Sequence, residues 1–434
     1  MDGNKIVDLA LQELRAAGAD DAQASLSLSD KSELNVDSGE LSLFRTTRNA
    51  QLALVAYSGG RKGAVSLNKV DPDSVREAAR QALALAASAE PDEANAVAPP
   101  PPAGSPRSFS YGETEPDRDA MYDRLKDFLA FAARERPKVK LEQCILDFTR
   151  FGSFLGNTKG VSLEAATSVY NLGAMFTSKD GTKTSSFNGS GASRRRLEGG
   201  FSEWGGTAEL MRQSEEQLDT RSIEGKFVGD LVVTPHCLGD FVGGMDEVCL
   251  GDFAHISGTS PWKDALGTAV ASPLFSLRSA PVSGEIAEGY FYTPDGFIAA
   301  DCPIVEKGIL RNFTLSLYGS NKSGRPRCPS SGGAWTVDAG DTPLAEIVKS
   351  VKRGLLLCRF SGGAPSSSGD LAGVAKNSYY IEDGKIAYPV SETMLSANLC
   401  SLLRDISAVS RERIDFGSAV FPWVKMGGAT ISGK

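Results

Sequence analysis

The sequence predicts an α+β protein: a small N-terminal α+β domain with antiparallel strands, a middle α/β segment and a large β-rich C-terminal domain. Three observations carry this prediction. At 434 residues the chain is too long for one ordinary core. Within residues 1–90 the apolar spacing switches from helical to alternating and back to helical. From about residue 227 onward, short alternating runs and glycine turns dominate. The boundaries read from these shifts are 1–90, a linker at 91–106, a middle segment at 107–226, and 227–434.

The first segment reads as a helix, with Val7, Leu11, Leu14 and Ala17 on one face and Gly18 placed to end it. Ala24–Leu28 and Ala50–Ala56 alternate as half-buried strands, and Ser58–Arg61 turns the chain into a returning arm at Gly63–Leu67. A second helix follows, with Asp73 or Ser74 as its cap and Val75, Ala79, Ala82, Leu83 and Ala86 inward. Residues 91–106 hold six prolines, four of them consecutive at 99–102, so they predict a semi-rigid extended linker. The third helix begins near Asp117, carries Met121, Leu125, Phe128, Leu129 and Ala132 on its apolar stripe, and stops at Pro137. In the C-terminal part, Ile304–Leu310 and Tyr379–Ile386 read as hairpins about Lys-Gly and Asp-Gly turns. A helix is expected from Thr342–Pro343 to about Arg353, with Thr342 capping it.

Composition narrows the function classes. A net charge of −8 disfavours a nucleic-acid surface, and the one basic run, Arg194–Arg196, reads as a solvated loop or strand edge. No apolar run approaches the roughly 18 to 20 residues that would span a bilayer, and the acidic N-terminus lacks a signal-peptide pattern. A cytoplasmic protein without a membrane anchor is the expectation. Seven scattered cysteines without a C-x-x-C predict reduced, buried thiols rather than a disulfide framework.

The chemistry-bearing residues are few. Only His236 and His255 exist, which excludes a three-His zinc site and confines any imidazole base to two positions. His236, Cys237, Asp240, Cys249, Asp252 and His255 supply zinc donor types, but their spacing matches no compact zinc knuckle, so an accidental cluster is the weightier reading. No G-x-S-x-G elbow, phosphate loop or dinucleotide fingerprint is present. Tyr290, Tyr292, Tyr379, Tyr380 and Trp423 are candidate peptide-binding residues, although core and turn roles for them are the blander account.

Six collinear stretches then point to a family: Asn35–Leu41, Asn157–Gly160, Gly225–Val233, Glu306–Arg311, Glu382–Glu392 and Asp415–Ser418. In these the chain resembles the TldD/PmbA metallopeptidase family on its PmbA/TldE branch, which also carries the label modulator of DNA gyrase. The resemblance implies a cytoplasmic assembly that digests unfolded or flexible peptides, with zinc held by a TldD-type chain through H-E-x-x-x-H on a helix and a late cysteine. Laid on this sequence, the two histidines fall on Gly239 and Gly244, the glutamate on Asp240 and the cysteine on Phe416. Glycine and phenylalanine offer no lone pair, so these read as degenerate metal-site positions. The resemblance implies no cofactor in this chain, zinc in a TldD-type partner, a peptide or unfolded-protein substrate, and a homodimer as a further possibility. Two rivals stand beside it: a self-sufficient hydrolase using His236 or His255, and a non-enzymatic regulatory binding protein.

Overall fold

The computed structural model describes residues 2–391 and 393–433; Glu392, the last residue of one family-like stretch, lies outside them, as do Met1 and Lys434. Helix α1 (Gly3–Ala17) begins where the Asp2 carboxylate accepts the Asn4 N–H and ends at Gly18, whose φ of 106° closes the cap. Strands β1 (Asp21–Asp37), β2 (Glu40–Ser58) and β3 (Arg61–Leu67) follow, longer than the alternating runs alone indicated. Helix α2 (Pro72–Ser88) is capped by Asp71, two residues before the expected cap, because Pro72 takes the first helical position where no amide donor is needed. Then come β4 (Ser108–Tyr111), α3 (Arg118–Glu135, capped by Asp117), β5 (Val139–Asn157), β6 (Ser162–Asp180), β7 (Lys183–Thr184), β8 (Asn188–Arg194) and α4 (Thr207–Glu216).

These strands form one sheet in the order β3-β2-β1-β5-β6-β4, with β7 and β8 also on β6. β1 pairs with β5 along nearly its whole length, from Gln23↔Asn157 to Asp37↔Gln143. The segments 1–90 and 107–226, read as separate units, are therefore joined by a shared sheet. Alternation shows that each strand has one covered face and says nothing about which strand satisfies its edge. Ala22, Ala24 and Leu26 pack under α1 and α2, while Leu34 and Val36 continue the same face under α3.

The Pro-rich stretch is extended but tied down. Ala94, Val97 and Ala98 are buried. Asp92 accepts from the Tyr318 hydroxyl at 2.7 Å and pairs with Lys322 at 2.9 Å. Asn157 Nδ2 donates to the Ala98 carbonyl at 2.8 Å. Proline withholds amide donors but leaves its neighbours' carbonyls and side chains free to dock.

The C-terminal part builds a 13-stranded mixed sheet. Its path runs Ile309–Leu310, Cys302–Glu306, Leu277–Ser279, Trp335–Val337, Ala419–Ser432, β9 (Lys226–Val233), Arg353–Leu357, Tyr379–Glu382 and Lys385–Pro389. Both expected hairpins form, and Lys307, Gly308, Asp383 and Gly384 all have positive φ, as their two-residue turns require. The expected helix spans Leu344–Lys349, without Thr342 as its cap. The Glu412 carboxylate accepts the Leu344 N–H at 2.9 Å, and Thr342 bridges to Ser410. Among the described residues no helix is long and apolar enough to cross a membrane.

Candidate functional site

The site grows from the end of β9. Leu231, Val232 and Val233 are fully buried, Thr234 ends the strand, and Pro235 starts helix α5 (Pro235–Met245). Cys237, Leu238, Phe241, Val242 and Met245 anchor α5 in the core. Its other side carries Gly239, Asp240 and Gly243, with Gly244 buried beside them. Three glycines inside an 11-residue helix cost about 1 kcal/mol each relative to alanine.

The space beside each glycine differs. A Cβ on Gly244 would lie 2.9 Å from Cγ and 3.0 Å from Cδ of Pro365. A Cβ on Gly239 would rest 3.5 Å from the Phe421 ring, and one on Gly243 would meet nothing within 4 Å. Pro365 therefore fills the volume that a side chain at 244 would need.

Two cavities flank α5. One, of about 440 Å³, is lined by Gly239, Asp240, Gly243, Gly244, Phe360 and Pro365 among others. Beside it runs the strand Arg359–Gly362, which pairs with Asp370–Lys376 on one edge and with no strand on the other among the described residues. The second, of about 700 Å³, opens between α5 and the strands β6 and β8; its walls include His236, Gly239, Trp335, Phe416 and Phe421.

Four of the six candidate donors are held by separate structural contacts. The His236 Nε2 lies 2.7 Å from the Gly205 carbonyl, and its ring meets Phe416 edge-on at 4.9 Å. Burial pushes its pKa down, so the ring is neutral and Nε2–H donates to that carbonyl. His255 is buried against Phe313, with centroids 4.0 Å apart, and its Nε2 lies 3.0 Å from the Cys249 carbonyl. Burial raises the Cys237 thiol well above its usual value and raises the Asp240 carboxyl, the latter against the pull of Arg359. Cys249 faces Cys400 at 3.9 Å, and Asp252 accepts from Ser316, whose hydroxyl caps the helix Leu317–Ser323. Among the described residues no three His, Cys, Asp or Glu side chains converge to hold a metal ion. With glycine at 239 and 244 and phenylalanine at 416, the residues present do not fit a zinc ion.

The aromatic candidates fall in different places. Tyr290 and Tyr292 share a cavity of about 370 Å³ against the sheet β1-β5-β6, where the Tyr292 hydroxyl meets Ser153 at 2.7 Å. Tyr379 and Trp423 line another cavity, under α4. Tyr380 points elsewhere, beside Tyr388, with its hydroxyl accepting from Arg353 at 2.9 Å. The basic run is also engaged: Arg195 lies 4.1 Å from the centre of the Tyr111 ring and donates to the Ile286 carbonyl at 2.7 Å. Sequence reasoning missed Pro365 as a neighbour of Gly244, since no local pattern links positions so far apart.

Residues 226–433 match the family model described as the PmbA/TldA metallopeptidase C-terminal domain. Over nearly the whole length, the chain is 23% identical to metalloprotease PmbA of Escherichia coli O157:H7, covering 96% of this chain and 94% of that protein. The chain is similar to the PmbA/TldE family nearly end to end. The PmbA homolog of Haemophilus influenzae is 24% identical over 97% of this chain and 95% of its own length. In fold, the chain also resembles the crystal structure of TldE from Thermococcus kodakarensis, at a TM-score of 0.82 and 16% identity, covering 99% and 100% of the two chains. The PmbA/TldE fold thus extends through both sheets and both cavities beside α5.

Proposed function

We propose that this chain is the non-catalytic, metal-free component of a cytoplasmic peptidase assembly, working with a TldD-type partner that supplies the zinc. The observation that carries this reading is the filled position at Gly244: Pro365 packs where a ligand side chain would stand, while Gly239 and Phe416 offer no donor. What remains is a scaffold suited to holding peptide backbone. The edge of Arg359–Gly362 that pairs with no strand among the described residues runs beside the glycine side of α5, and glycine lets an extended chain approach closely. The apolar cavity with Trp335, Phe416 and Phe421 suits side chains of an unfolded substrate. Both imidazoles bond main-chain carbonyls through Nε2, which argues against either as the base of an independent hydrolase.

The test is peptidase assay on a flexible substrate such as casein fragments, with the purified chain alone, a TldD-type chain alone, and both together. The expected result is no turnover above the blank from this chain alone and turnover from the pair. Full turnover by this chain alone would overturn the reading.

A further inference from the structure

A separate cavity of about 310 Å³ lies under α4, roofed by that helix and floored by the C-terminal sheet. This volume is at the lower end for small-molecule sites, roughly 300 to 1,000 Å³. Its two walls are chemically opposite.

On the roof, Glu209, Arg212, Gln213 and Glu216 stand at i, i+3, i+4 and i+7, one face of the helix. The Arg212 guanidinium is engaged by both carboxylates: Nε donates to Glu209 at 2.8 Å, Nη2 donates to the same carboxylate, and Nη1 reaches Glu216. The Tyr379 hydroxyl donates to Glu216 at 2.7 Å. Two carboxylates against one guanidinium leave this wall one net negative charge. Arg136, whose charge also acts on Glu209, is itself paired with Glu215 at 3.7 Å. Gln213 is 7% exposed; its Nε2 donates to Glu209 at 3.0 Å, and its Oε1 has no hydrogen-bond partner among the described residues. A buried carbonyl left unpaired costs about 1 to 3 kcal/mol, so the site is short of a donor. The opposite wall is apolar, with Trp423, Leu344, Leu356 and Ile414, and Ile386 stands half exposed at the rim.

We propose that this cavity binds a primary ammonium or guanidinium carried on a short apolar stem, with the cationic N–H groups at Gln213 Oε1 and Glu209 and the stem against Trp423. Carboxylates and an unpaired amide oxygen accept from an organic cation, and the indole face packs against its apolar stem. An anion would meet the carboxylates, and a neutral apolar molecule would leave Gln213 unpaired. The cation comes from one of two sources, a free amine or the side chain of a peptide, and both present the same group.

The experiment is calorimetric titration of the full-length chain with phenethylamine, 2-phenylethanol and phenylacetate, plus the capped peptide acetyl-Ala-Lys-Ala-amide. Phenethylamine should bind one to one, at least about tenfold tighter than its neutral and anionic analogues. Gln213→Leu should weaken it by about tenfold or more. Ile386→Trp, a change at an exposed rim position, should close the mouth and abolish binding while leaving the circular dichroism of the chain unchanged. Peptide binding tighter than the free amine identifies a side chain as the source; amine binding alone identifies a small molecule. Equal binding of the three phenyl probes, no binding of either cation, or full binding by Ile386→Trp would overturn the proposal.

Discussion

Replacing Gly243 and Gly244 by alanine, one at a time, separates a filled position from an open one on the same helix. Alanine is better than glycine inside a helix by about 1 kcal/mol. At Gly243 a Cβ meets nothing within 4 Å, so Gly243→Ala should stabilise by about that amount. At Gly244 the new carbon would lie 2.9 Å from Pro365 Cγ, well inside the roughly 3.5 to 4.0 Å that carbon pairs prefer. Overpacking of this kind costs about 1 to 3 kcal/mol, so Gly244→Ala should end between neutral and about 2 kcal/mol destabilised. The pair should therefore differ by roughly 1 to 3 kcal/mol in urea unfolding. Adding Pro365→Ala to Gly244→Ala should recover most of the difference, by at least about 1 kcal/mol of coupling. If Gly244→Ala stabilises the protein as much as Gly243→Ala, Pro365 does not occupy that volume and the reasoning fails.

Two further outcomes follow from burial. Burial lowers the His236 pKa below its ordinary 6.5, so as pH falls through 6.5 the unfolded chain binds a proton that the folded ring refuses. Stability should fall toward lower pH in that window, by at most about 1.4 kcal/mol per pH unit, and His236→Gln should flatten the slope relative to the parent between pH 7 and 5. An unchanged slope would show that the ring titrates normally. The seven cysteines are all buried free thiols; burial raises Cys144 to about 12, while hydrogen bonds from Cys302 and Cys249 lower Cys328 and Cys400, so for these two only burial limits access. Ellman's reagent should therefore label fewer than one thiol per native chain within minutes and all seven in denaturant. Rapid native labelling of several would contradict that burial.

The helices and hairpins were legible because their signals are local. Gly18 ends α1, Asp117 and Pro137 bound α3, and Asp383-Gly384 turns its hairpin, each through backbone preferences that neighbours in sequence dictate. The pairing of β1 with β5 was not legible, since more than a hundred residues separate them and alternation fixes a face, not a partner. The linker misled for a related reason: proline content describes backbone stiffness, whereas Ala98 and Asp92 dock through contacts to Asn157 and Tyr318. At the site, the resemblance located Gly239 and Gly244 on the helix after β9, where the structure has them. Pro365 against Gly244, and the alignment of Glu209, Gln213 and Glu216 over Trp423, are tertiary facts.

The most direct test is the zinc content of the purified full-length chain after incubation with excess zinc and gel filtration, read by mass spectrometry of the metal. On the proposed reading, in which Gly239, Gly244 and Phe416 stand at the ligand positions, the chain should elute with far less than one zinc per molecule. One tightly held zinc per chain, lost on substituting either His236 or His255, would contradict the account.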